Sequence, residues 1–146
     1  MKYENIIIRI IGYDWDDLEE LKESLNRFIK ELDKKDKPLI EIRSSTGLVS
    51  DKLYTLEIKT SKNKVIKKIL EEIIKRIEDK KEFLDYIKLR WENNVLYLRF
   101  DKDYFLRKDK LIPTEGGDVL YIRISFPGYM KRDEIIKHLE EKLNAS

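Results

Sequence analysis

The apolar positions along the chain change period several times, and each change marks an element. From Ile6 to Ile11 the sequence IIIRII is an almost unbroken β-branched run, the pattern of a strand buried on both faces. From Trp15 onward the period lengthens: Leu18, Leu21, Leu25, Phe28, Ile29 and Leu32 recur at helical spacing, Asp14 is placed to cap the N-terminus with Asp17 three residues later, and DKKDKP ends the run. PLIEIR and KLYTLEIK both alternate, with the small-residue stretch SSTGLVSD between them, so residues 38–60 read as a hairpin with a long connection. From about Ser61, the positions Val65, Ile66, Ile69, Leu70, Ile73, Ile74 and Ile77 define a second amphipathic helix. A shorter helix follows through Phe83, Leu84, Tyr86 and Ile87, and Ile135, Ile136, Leu139 and Leu143 mark a closing one.

Between these last two helices the chain repeats itself. VLYLRF at 95–100 returns as VLYIRI at 119–124. In each copy the residues alternate as a strand requires: Leu96, Leu98 and Phe100 point one way, as do Leu120, Ile122 and Ile124, while Tyr97 with Arg99 and Tyr121 with Arg123 point the other way. The order is therefore β-α-β-β-α-(α)-β-β-α. Paired strands separated by helices with one apolar stripe each imply an α+β fold of two layers, a mostly antiparallel sheet with helices on one face. No linker or low-complexity tract interrupts it, so residues 1–146 read as a single domain.

Composition narrows the chemistry. There is no Cys among the 146 residues, which excludes disulfides, thiolate metal sites and Cys nucleophiles. Gln is missing too, and Lys and Glu dominate the polar positions, the habit of proteins from hot environments. No apolar run is long enough for a membrane span and the N-terminus carries a strand pattern, not a signal segment, so a cytoplasmic protein is expected. With 31 basic against 29 acidic residues the net charge is only +2; any affinity for nucleic acid has to come from local patches.

Two such patches stand out. Two rings and two guanidinium groups side by side on an open sheet, Tyr97, Arg99, Tyr121 and Arg123, can stack on bases and pair with phosphates. The same residue types also suit a half-exposed sheet surface that binds nothing. The stretch RFDKDYFLRKDKLIP adds Lys102, Arg107, Lys108 and Lys110 interleaved with Tyr104 and Phe105, although Asp101, Asp103 and Asp109 sit among those cations and can neutralise them. Asp101 and Asp103 flanking a lysine at a strand end are better turn formers than ligands of a hard cation, and TEGGDV reads as a loop that lets a strand begin. The single histidine, His138, falls on the closing helix among Lys and Glu as a surface residue. Glu71 and Glu72 are spaced to pair with Lys75 and Arg76 at i, i+4. No metal, no cofactor and no nucleophile with a base is expected, and hence no enzyme.

The stretch LYLRFDKDYFLRKDKLIPTEGGDVLYIRI resembles the signature of a small archaeal RNA-binding family that has been suggested to accompany the exosome. Leu96, Tyr97, Leu98, Arg99, Phe100, Asp101, Lys102 and then Asp118 occupy the positions of its strand, turn and second-strand opening. The family's early Thr-Glu-Asp is here Tyr13, Asp14 and Trp15. The resemblance implies a fold similar to that of the large-subunit ribosomal protein that anchors the smallest ribosomal RNA, and it implies structured or looped RNA as the partner. The function expected is thus a non-enzymatic RNA-binding module that uses Tyr97, Arg99, Lys102, Arg107, Lys108, Lys110, Tyr121 and Arg123. The alternative is a protein–protein module, a homodimer included, that uses the open sheet face or an edge strand.

Overall fold

The computed structural model describes residues 1–48 and 51–146. The elements run β1 (Asn5–Gly12), α1 (Leu18–Asn26), β2 (Glu41–Ser45), β3 (Leu53–Thr60), α2 (Asn63–Arg76), α3 (Lys80–Ile87), β4 (Trp91–Glu92), β5 (Val95–Asp101), α4 (Lys102–Lys108), β6 (Val119–Ser125) and α5 (Arg132–Ala145). They form the expected α+β architecture: one six-stranded sheet in the order β2-β3-β1-β6-β5-β4. Every neighbouring pair is antiparallel.

Alternation decides which face of the sheet is covered. Ile6, Ile8 and Ile10 of β1, Leu56 and Ile58 of β3, Leu96, Leu98 and Phe100 of β5, and Leu120, Ile122 and Ile124 of β6 are all buried in one cluster with the apolar stripes of the helices. The longest stripe is that of α2, which contributes Val65, Ile66, Ile69, Leu70, Ile73 and Ile74. The β1 strand sits mid-sheet, but only Ile7 is buried on its second face, while Arg9 and Ile11 are half-exposed. The IIIRII run is thus covered on one side alone, where a strand enclosed on both was expected.

Four local features differ from the periodicity. Helix α1 stops at Asn26 and the chain continues in turns that still bury Phe28, Ile29 and Leu32. Its N-cap is Asp17, whose carboxylate accepts from Glu19 N at 2.9 Å, so Asp14 is not the cap. Asp14 instead accepts from the backbone N–H groups of Asp51 and Lys52 at 3.0 and 3.2 Å, tying the start of β3 to the β1–α1 turn; residues 49–50 of the SSTGLVSD connection lie outside the described residues. Gly12 ends β1 because α1 closes over it: a Cβ there would lie 2.5 Å from Leu21 Cδ1. Strand β4 is two residues long and helix α4 seven, too short for period to reveal.

Helix α4 exists because its ends are satisfied. Asp101 caps it by accepting from Tyr104 N at 2.8 Å. Asp109 closes it in the left-handed conformation, φ 54°, which Asp tolerates better than most residues. The outer edge of β5, beyond the short β4, is sealed by other means. Tyr97 N donates to Arg90 O at 2.9 Å, Arg99 N to the Tyr86 hydroxyl at 2.9 Å, and Asp101 N to Ile112 O at 3.0 Å. At the opposite end of the sheet, β2 is exposed at every residue.

Candidate nucleic-acid interface

Antiparallel pairing of two nearly identical strands crosses their polar residues. Tyr97 lies opposite Arg123 and Arg99 opposite Tyr121. All four are half-buried, standing on the face that the helices leave bare. The β1 strand extends this surface on the far side of β6, with Arg9 opposite Tyr121 and Glu57 of β3 opposite Arg9. Ion pairing and cation–π contact give the row Glu57, Arg9, Tyr121 its order: Arg9 Nε donates to Glu57 Oε2 at 2.7 Å, and the Arg9 guanidinium carbon lies 5.4 Å from the centre of the Tyr121 ring. Glu57 is buried, and Arg43 of β2 lies 3.7 Å from the same carboxylate oxygen. Burial raises the Tyr121 phenol above its ordinary range, with Arg123 opposing that shift. The Arg123 Nε is itself buried and has no hydrogen-bond partner among the described residues.

Where β1, β5 and β6 come together this face sinks into a hollow of about 360 Å³, lined by Arg9, Tyr13, Arg99, Asp118 and Tyr121 with Ile11, Gly117 and Val119. Arg99 is held there by one terminal nitrogen, which donates to Gly116 O at 2.8 Å. The TEGGDV stretch is the loop that carries Gly116 and leads into β6, as its sequence suggests. Trp15 stacks on Tyr13, ring centres 4.7 Å apart and planes 12° from parallel, and is 63% exposed.

The basic residues around α4 do not join this group. Lys102 is 2% exposed. Its ammonium lies 2.7 Å from Asp16 Oδ2 and 3.0 Å from Asp118 Oδ1, donates to Ile11 O at 2.9 Å, and sits 5.1 Å from the Tyr13 ring centre. A buried ammonium with three such partners is committed to joining β1, the α1 turn and the start of β6; it offers nothing to a phosphate. Arg107, Lys108 and Lys110 are exposed, but α4, which carries the first two and ends just before the third, belongs to the helix layer, where Phe105 stacks on Phe28 at 5.3 Å and Arg27 donates to the Phe105 carbonyl at 3.0 Å. Arg107 is also paired with Asp103 at 2.8 Å.

Other sequence candidates find structural uses. Asp101 is a helix cap and Asp103 an ion-pair partner, and no group of acidic or His residues among those described is arranged to hold a metal ion. Glu72, not Glu71, serves the cations of α2, with Lys75 and Arg76 each 3.1 Å away. Arg76 then reaches Asp109 at 2.8 Å. His138 is not a plain surface residue: its Nε2 lies 3.3 Å from the hydroxyl of the buried Tyr3. Sequence reasoning missed Arg9, Tyr13 and Glu57. Arg9 could have been found as the one polar residue in IIIRII; Glu57 and Tyr13 carry no signal until the register is known.

A family model described as RNA binding matches residues 5–126. Solved structures share the fold over nearly the whole chain. A Sulfolobus solfataricus protein of the DUF54 family is 22% identical with a TM-score of 0.77, over 97% of this chain and 98% of that one. A DUF54 protein from Methanothermobacter thermautotrophicus is 20% identical with a TM-score of 0.72, over 98% and 99%. A UPF0201 protein from Methanococcus jannaschii, 12% identical, reaches 0.60 over 93% and 92%. A search of curated proteins finds no match.

Proposed function

The chain belongs to the RNA-binding family matched over residues 5–126, and from that premise we propose that it grips RNA, without acting on it chemically, through the bare sheet face around Tyr97, Arg99, Tyr121 and Arg123. One observation carries the reading: crossed Tyr–Arg pairs stand half-exposed on strands whose other face is sealed under helices. Rings of this kind stack on splayed bases, and guanidinium groups pair with phosphate or base edges, which suits looped or structured RNA better than a smooth duplex. Arg107, Lys108 and Lys110 then act at the margin, meeting backbone that leaves the face at the end of β5. A place beside ribosomal RNA or an exosome-type machine fits such a gripping module.

Salt-dependent binding tests this. A mixed RNA pool titrated at two ionic strengths should bind wild type with a clear salt dependence. The double variant Arg99→Ala with Arg123→Ala should bind at least tenfold more weakly, with a salt slope reduced by about 1.4, since each lost single-strand phosphate contact removes about 0.7. Equal affinity of the two proteins would remove this surface from consideration. A second reading, a protein–protein module, is favoured by one observation alone: the β2 edge is exposed and has no further strand beside it among the described residues, with Leu39 and Ile42 exposed beside or on it.

A further inference from the structure

We infer that the hollow between β1, β5 and β6 holds one splayed-out ribonucleotide of the bound RNA, with its phosphate between Arg9 and Arg99 and its ribose against Asp118. The inference rests on the RNA-binding reading and specifies what part of the RNA enters the molecule. At about 360 Å³, the hollow falls within the ~300–1,000 Å³ of ordinary small-molecule sites.

Its lining carries both signs of charge. Arg9 uses only Nε, on Glu57, and Arg99 only one terminal nitrogen, on Gly116 O; their other guanidinium N–H groups have no hydrogen-bond partner among the described residues. Two guanidiniums each fixed by one hydrogen bond, Arg9 also by the Tyr121 ring, with donors to spare, are suited to one phosphate group. Asp118 also lines the hollow, half-exposed, with Oδ1 at 3.0 Å from the buried Lys102 ammonium. A carboxylate repels phosphate and accepts hydrogen bonds from hydroxyl groups, so the ligand is oriented with its ribose hydroxyls toward Asp118. The 2′-hydroxyl is the group that separates RNA from DNA. Tyr121 lines the hollow with the Arg9 guanidinium over its ring, and Trp15, stacked on Tyr13 and largely exposed, offers a platform at the rim for a neighbouring base.

The test uses the whole protein and three probes: adenosine 5′-monophosphate, its 2′-deoxy counterpart, and a mixed-sequence single-stranded RNA oligomer, followed by amide chemical shifts. Adenosine monophosphate should shift Tyr13, Gly117, Asp118 and Val119. The deoxynucleotide should bind more weakly by about tenfold or more, the loss expected for one hydrogen bond to a charged acceptor. The oligomer should shift the same amides together with those around Tyr97 and Arg123. Val119→Phe fills the hollow without removing a charge; it should abolish the mononucleotide shifts while RNA affinity falls only severalfold. RNA binding without any mononucleotide shift in the hollow overturns the inference alone, and equal affinity for the two nucleotides overturns the role of Asp118. If the oligomer does not bind wild type at all, the RNA-binding surface fails and the ribonucleotide assignment fails with it.

Discussion

At Lys102 a buried ammonium meets two carboxylates and a backbone carbonyl, so its replacement separates folding from RNA binding. Lys102→Met keeps the length of the side chain and leaves Asp16 and Asp118 facing each other without a cation. Removing one partner of a fully buried pair costs about 3–5 kcal/mol; because Asp118 is half-exposed, the loss here should be about 2–4 kcal/mol, read from urea denaturation. RNA titrations in the folded range should keep the wild-type salt slope, whereas a drop of about 0.7 would mean that Lys102 touches phosphate. The Lys and the Asp of the signature stretch thus have a joint mechanical use: one holds the other at the rim of the hollow. None of this is visible locally. A lysine among aspartates and aromatics reads as surface, and its partner Asp16 is 86 residues away. Tyr97, Arg99, Tyr121 and Arg123 were readable because a strand's period of two assigns each side chain to a face without any long-range information.

Period also explains which elements could be read. Stretches of eight residues or more with one apolar face, such as β1, β3, α2 and α5, announce themselves, whereas β4 and α4 are held by tertiary partners and caps. The docking of α5 shows what such partners can hide. His138 reaches the hydroxyl of Tyr3, a residue of the segment before β1. Burial, with Glu71 adding to it, pushes the Tyr3 phenol up to about 12. Burial, helped by Lys142 and the N-terminal ammonium, holds the His138 imidazole below its ordinary value, with Glu141 opposing. A histidine whose folded value is depressed binds protons more readily in the unfolded chain. Its effect on stability is therefore absent above the ordinary value near 6.5, and stability falls as pH drops from there toward the lower folded value. Urea midpoints should decline between pH 7.5 and 5.5 in wild type and stay flatter in His138→Gln. The lowered carboxyl groups of Asp109 and Glu72 act in a lower window and do not mask this. Equal slopes for the two proteins would sever α5 docking from the imidazole.

Across the whole molecule, the sheet is finished differently at its two ends. The β5 side is closed by β4, Tyr86 and the strand-like backbone contacts of Arg90 and Ile112, while β2 ends the other side with exposed residues throughout. An unpaired edge invites a further strand. Ile42→Lys on that edge should abolish any self-association detected by light scattering and leave RNA affinity unchanged, because Ile42 lies several strands from Tyr121. A parallel loss of RNA affinity would show that the two surfaces are one. The architecture could be read from strand and helix order alone; the hollow could not, since it needs the register of three strands that are distant in the chain. The duplicated phrase leaves one more consequence. Because Leu98 pairs with Ile122, a half-turn about the sheet normal at that pair exchanges Tyr97 with Tyr121 and Arg99 with Arg123. This pseudo-dyad presents the same sequence of ring and cation to a nucleic-acid strand laid 5′ to 3′ or 3′ to 5′. On the proposed reading the patch is blind to polarity, and the direction of a bound RNA would be imposed by the asymmetric flanks, Arg9 on one side and the β4 edge on the other.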